Sequence, residues 1–239
     1  MRSVKISVAE PVSQLRYVKI VESGEELVDF LQVCPALLLD RDRFHYRRET
    51  LMRRSLAEKL CAANRNLPPG YRLAIIEGWR APHIQRRMYQ AVRERFQRDH
   101  PDWSETTLKR VVNKFSAPLN LRVPPPHTTG GAVDLMLADA EGNPLDHTSP
   151  FDSFDPHCAA FDATGLSDAA RKTRDILAAA LIPTGITNYP SEFWHWSYGD
   201  QGWAYRGRRS HALYGTTTPP DYLPDPAEDI DHPLVMVDA

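Results

Sequence analysis

The stretch PPPHTTGGAVDLML, residues 124–137, decides how this chain is read. Three prolines hold an extended approach to His127, and Gly130 and Gly131 permit backbone angles that other residues avoid. An apolar run follows, interrupted by a single carboxylate, Asp134. Alternation along AVDLML (132–137) predicts a strand. It sends Val133, Leu135 and Leu137 to one face and Ala132, Asp134 and Met136 to the other. The first face can pack on helices and the second can line a cleft. A lone carboxylate buried there is costly, and a metal ion or an arginine removes that cost.

His127 lies seven residues before Asp134, and a tight glycine turn can bring its imidazole to the same mouth. A third donor stands in YPSEFWHWSYG (189–199), where EFWHWSY (192–198) reads as a short aromatic strand carrying His195. Two histidines and one carboxylate with an open fourth position make a catalytic zinc site, with bonds of about 2.0–2.2 Å. Glu192 is three residues before His195, so a perfect strand would put the two on opposite faces. Pro190 and Ser191 place Glu192 on a turn entering the strand, from which its carboxylate can take a proton from a zinc-bound water. Arg80 ends a predicted strand, YRLAIIEGWR (71–80), just before a proline-started helix. A guanidinium there is suited to a developing oxyanion.

Helical spacing is found at Met52, Leu56, Leu60 and Ala63 within residues 47–70. It recurs from Pro82 (Ile84, Met88, Val92, Phe96), from the N-cap Ser104 (Leu108, Val111, Val112, Phe115) and from the N-cap Ser167 (Ala170, Thr173, Leu177, Ala180). Residues 139–165 read as a long loop. Helices and strands do not alternate regularly. The expected class is α+β, a small antiparallel sheet with helices packed around it. Residues 1–215 read as one domain. Residues 216–239 carry acidic side chains and prolines but no Lys or Arg, and read as a loosely packed extension.

The 239 residues suffice for a real core, and a net charge of -2 offers no general argument for nucleic acid or an anionic membrane. The basic cluster Arg41, Arg43, Arg47, Arg48, Arg53 and Arg54 is interleaved with Asp40, Asp42 and Glu49, so it reads as a solvated, ion-paired surface. His157 beside Cys158 has no matching partners and reads as structural. Three widely spaced cysteines without a C-x-x-C pair argue against a disulfide framework and a cysteine zinc site. The N-terminus lacks an apolar signal segment, and no apolar run is long enough to span a bilayer, so a cytoplasmic location without membrane partners is expected.

The segments His127-x-x-Gly130-x-Ala132-x-Asp134 and Glu192-x-Trp194-His195 resemble the signatures of the zinc D-alanyl-D-alanine dipeptidases of the VanX type. EGWRAP (77–82) is similar to that family's D-G-[YW]-R-P element, with Glu77 for Asp and Ala81 inserted. SPFDSFD (149–155) resembles its acidic loop. Order and rough spacing match from about residue 70 to 205. The resemblance implies one zinc ion on His127, Asp134 and His195, Glu192 as general base and then acid, and Arg80 as transition-state stabiliser. It implies Asp152 as partner of the substrate's ammonium group. It also implies a hedgehog-like, D,D-peptidase-like zinc fold acting on D-alanyl-D-alanine or a similar small dipeptide. Pro125 stands where well-known members carry a serine, and Phe193 where a tryptophan is common. Three other readings stay open: a cell-wall D,D-carboxypeptidase or endopeptidase of the same superfamily, a non-haem Fe(II) oxygenase with two His and one carboxylate, and a zinc-bearing binding module without catalysis.

Overall fold

The computed structural model describes residues 12–113, 116–120, 122–148 and 159–225. The chain opens with α1 (Val12–Leu15), β1 (Lys19–Ile20), β2 (Leu27–Asp29), α2 (Phe30–Val33), β3 (Leu38–Leu39) and β4 (Leu51–Arg53). Next come α3 (Arg54–Asn66), β5 (Tyr71–Glu77), α4 (Pro82–Asp99), α5 (Glu105–Val112) and a 3-10 turn, Pro126–Thr129. β6 (Ala132–Asp139), α6 (Asp168–Leu181), β7 (Thr187–Asn188), β8 (His195–Ser197), α7 (Gln201–Arg206) and β9 (His211–Ala212) complete it. The class is α+β, as expected.

The main sheet runs β3-β5-β6-β8-β7. All its pairs are antiparallel except the β3–β5 edge, which is parallel. β6 has strands on both sides and is buried along nearly its whole length. Its Val133, Leu135 and Leu137 join one core with Leu73 and Ile75 of β5, Leu56 and Leu60 of α3, and Leu177 and Leu181 of α6. Each fully buried side chain of this size stabilises the fold by roughly 1.5–3 kcal/mol. Ser104 and Ser167 cap their helices as expected, accepting from the backbone N–H groups of Thr107 and Ala170 at 3.3 and 3.0 Å.

Three local readings change. Residues 51–53 are a strand, not the start of the helix, with Met52 paired to Val28 of β2. Met52 is buried in either arrangement, so apolar spacing alone could not separate them. The strand around His195 starts at His195, because residues 189–194 are spent on a turn and its exit. Arg43, Arg47, Arg48, Arg53 and Arg54 of the basic cluster are ion-paired, but Arg43, Arg48 and Arg53 point inward with side chains at most 7% exposed. Backbone oxygens draw two of them in. Arg48 donates to Ile76 O at 2.6 Å and Arg53 to Thr129 O at 2.8 Å.

Residues 215–222 run past Trp79, which lies just beyond the end of β5. The Trp79 indole N–H donates to Thr217 O at 2.9 Å, and Tyr222 meets the Trp79 ring edge-on at 4.9 Å. Cys34 and Cys61 are free thiols. Among the described residues no helix is long and apolar enough to cross a membrane. Asp152, His157, Cys158 and Phe115 lie outside the described residues.

Candidate metal centre

The approach to His127 is extended only as far as Pro125, and Pro126 then starts the 3-10 turn. The Thr128 hydroxyl donates to Pro125 O at 2.8 Å and that of Thr129 to Pro126 O at 2.6 Å, so the turn is closed by its own side chains. Gly130 ends it at φ 71°, and a Cβ there would sit 2.3 Å from Leu27 Cδ2. Only glycine suits both the angle and the space. His127 Nδ1 donates to Gly78 O at 2.9 Å, which leaves Nε2 as the nitrogen facing Asp134 and His195.

Asp134 and His195 are register partners on β6 and β8. His195 Nδ1 lies 2.9 Å from Asp134 Oδ1 and 3.2 Å from His127 Nε2, and His127 Nε2 lies 3.4 Å from Asp134 Oδ2. A tetrahedral ion with bonds of about 2.0–2.2 Å spaces its ligand atoms roughly 3.3–3.6 Å apart. The three side chains converge within reach of one such ion, with the contacts to His195 somewhat shorter than that spacing and a different Asp134 oxygen facing each histidine. All three residues are buried, and among the described residues they form a group of three donors, one atom from each and all within 4.8 Å, that could hold a metal ion. Nitrogen, nitrogen and carboxylate oxygen are also the donor types that zinc takes in catalytic sites.

Burial by itself raises the Asp134 pKa, but His127 and His195 outweigh it and hold the carboxyl well below the usual carboxylate range. Burial likewise works against a charged His127, and the Asp134 carboxylate beside it raises its pKa nonetheless. The carboxylate is therefore ionised at neutral pH, as a metal ligand must be.

Arg80 stands beside this group. Its backbone N–H donates to His127 O at 3.2 Å. Its guanidinium forks onto Glu77, with Nε 2.9 Å from Oε1 and Nη2 on Oε2, while Nη1 donates to Gln85 Oε1 at 2.7 Å. Burial disfavours its charge, but Glu77 more than offsets this and raises its pKa. The Tyr46 hydroxyl also donates to Glu77 Oε1. Tyr46, Glu77 and Gln85 were not among the candidate residues. Glu77 was visible only as a variant letter in a motif, Gln85 carries a buried polar tip one turn into α4, and Tyr46 has no local signal.

Glu192 sits where the chain bends. Its backbone N–H donates to Tyr189 O at 2.9 Å, and the N–H of His195 donates back to Glu192 O at 3.2 Å. This turn frees Glu192 and His195 from the opposite-face rule of a strand. Asp152, the expected partner of a substrate ammonium group, lies outside the described residues.

Comparison with known proteins gives the family. A family profile described as D-ala-D-ala dipeptidase, peptidase M15, matches residues 32–213. A D-alanyl-D-alanine dipeptidase of Synechocystis sp. is 30% identical over 122 residues, covering 46% of this chain and 49% of that protein. One from Escherichia coli is 35% identical over 69 residues, covering 29% of this chain and 35% of the relative. The matches thus span half or less of these curated relatives. A solved LdcB LD-carboxypeptidase, described with the molecular basis of peptidoglycan recognition, aligns at 17% identity over 79% of this chain and 73% of that one. Its TM-score is 0.42. With a profile spanning most of its length, this chain belongs to the peptidase M15, D-ala-D-ala dipeptidase, family.

Proposed function

We propose that this chain is a zinc-dependent dipeptidase that hydrolyses D-alanyl-D-alanine or a similar D-containing dipeptide. The observation that carries the reading is the meeting of His127, Asp134 and His195, all buried, at separations of 2.9–3.4 Å. Membership of the D-ala-D-ala dipeptidase family supports that substrate class. A zinc ion held by these residues would supply Lewis acidity and a water acidified to near-neutral pKa.

The chain's own groups do the rest. Gly78 O holds the His127 ring so that Nε2 stays available as a donor. A carboxylate oxygen of Glu192 takes a proton from the attacking water and returns it to the leaving amine nitrogen. The Arg80 guanidinium holds the carbonyl oxygen as negative charge develops on it.

The test is a dipeptide panel differing in stereochemistry and end blocking, run with zinc and again with a chelator. D-alanyl-D-alanine is expected to be cleaved, its N-acylated form poorly, and all turnover should vanish with chelator and return with added zinc. Ready cleavage of blocked dipeptides or longer muropeptides replaces this reading with a cell-wall peptidase. No turnover of any D-containing dipeptide by zinc-loaded protein overturns it.

A further inference from the structure

β5 and β6 pair regularly from Tyr71↔Asp139 to Ile75↔Leu135, and then the register shifts. Ile76 is the extra residue, and Glu77 pairs with Asp134. A bulge of this kind re-aims the side chains beyond it. Here it sets Glu77 level with a donor of the candidate metal centre, although its neighbours Ile75 and Ile76 are both fully buried. Glu77 is itself only 3% exposed, a charged group that must be compensated on the spot.

Its compensation is shared. Arg80 supplies two N–H groups and Tyr46 one hydroxyl. The Tyr46 ring is stacked on Phe44 with centroids 4.9 Å apart, so its hydroxyl is presented from a fixed plane. On the far side Gln85 accepts from Arg80 Nη1, and its own amide donates to Ala117 O at 2.8 Å. Described residues therefore take three of the five guanidinium N–H groups. One N–H on Nη1 and one on Nη2 are left for another acceptor.

We infer that Tyr46 is a positioning residue of the reaction: by holding the Glu77 carboxylate it fixes the plane of the Arg80 guanidinium, so that the two remaining N–H groups meet the developing oxyanion. The inference rests on the function proposed above. A carboxylate gripped only by the arginine can rotate with it, whereas one gripped from a second direction cannot. Fixed orientation matters because small misplacements of a stabilising donor are costly in rate.

The experiment uses Tyr46→Phe, Arg80→Lys and the double variant, all zinc-loaded, with D-alanyl-D-alanine as substrate. Tyr46→Phe is expected to lower kcat roughly ten- to hundredfold, the effect usual for losing such an outer partner, with KM within about twofold and zinc content unchanged. Arg80→Lys has no fork to orient, so adding Tyr46→Phe to it is expected to cost nothing further. Wild-type kcat in Tyr46→Phe, or losses that multiply in the double variant, overturns the inference. A readout without substrate separates it from the proposed function. The Arg80 side-chain N–H signals in nitrogen-15 NMR are expected to exchange faster in Tyr46→Phe than in the wild type. Equal exchange overturns the clamp whether or not the dipeptide is cleaved, while faster exchange in a protein that cleaves no dipeptide faults the proposed function alone.

Discussion

The carbonyl oxygen of Gly78 accepts a hydrogen bond from His127 Nδ1 at 2.9 Å. This bond ties the turn after β5 to the 3-10 turn before β6, 49 residues later. It decides which nitrogen of His127 faces the other two donors. Outer partners of this kind fix both the tautomer and the ring plane of a metal-binding histidine.

Gly78→Ala should therefore damage metal binding without touching a ligand. A Cβ at this position would lie 2.6 Å from Leu51 O, so the turn must shift and carry its carbonyl with it. Zinc affinity is expected to fall roughly ten- to hundredfold, measured by competition with a chromogenic chelator. Unchanged affinity would contradict the role given to this bond.

Ligand and base should separate cleanly. His195→Ala and Asp134→Asn are expected to lose stoichiometric zinc, because each removes one of three donors. Glu192→Gln should keep its zinc and lose kcat by roughly 10²- to 10⁴-fold, the usual worth of a general base. Metal analysis beside steady-state kinetics reads both. Full metal content in the His195 variant, or wild-type kcat in the Glu192 variant, removes the assignment concerned.

His147 should make the fold acid-sensitive. Its Nδ1 donates to Leu145 O at 2.7 Å and its Nε2 accepts from the N–H of Leu137 at 3.3 Å, so the ring is held neutral. Burial pushes its pKa down to about 4 from an ordinary 6.5. The unfolded chain then binds more protons than the folded one between those values. Stability is present above pH 6.5 and is lost as pH falls toward 4, by up to roughly 3 kcal/mol. Urea unfolding of metal-free protein at several pH values should show this slope, and His147→Gln should flatten it. An equal slope in the variant would place the acid sensitivity elsewhere.

Arg53 should be a pin for the whole approach to the site. Its guanidinium donates to Thr129 O at 2.8 Å and to Glu25 O, and lies 4.7 Å from the centre of the Tyr214 ring. Arg53→Met keeps most of the volume but leaves these acceptors without their charged donor. A loss of roughly 2–4 kcal/mol is expected in denaturant unfolding. A change under about 0.5 kcal/mol, the range of ordinary surface substitutions, would mean that water replaces the guanidinium.

Much of this architecture was legible along the chain. Serines at 104 and 167 marked helix starts because a side-chain oxygen caps an orphan N–H locally. The three metal-binding candidates were legible because few residue types can serve as donors, with His127 and Asp134 set across a glycine turn and His195 in a separate aromatic motif. What went astray did so for one reason. Met52 is buried whether residues 51–53 are strand or helix, and residues 192–194 have strand-like composition but are spent on a turn. Arg48 and Arg53 read as surface charges, because the backbone oxygens that draw them inward lie on other segments.

By itself the sequence offered three candidate donors, the family resemblance and most kinds of elements, since these follow from residue types, short motifs and local spacing. Only the tertiary structure decided that β5 bulges at Ile76, that Glu77 stands opposite Asp134, and that Tyr46 and Gln85 close around the guanidinium of Arg80. Those facts depend on register and on contacts between distant segments. Periodicity along one strand says which face a side chain takes, but not which residue of another strand it will meet.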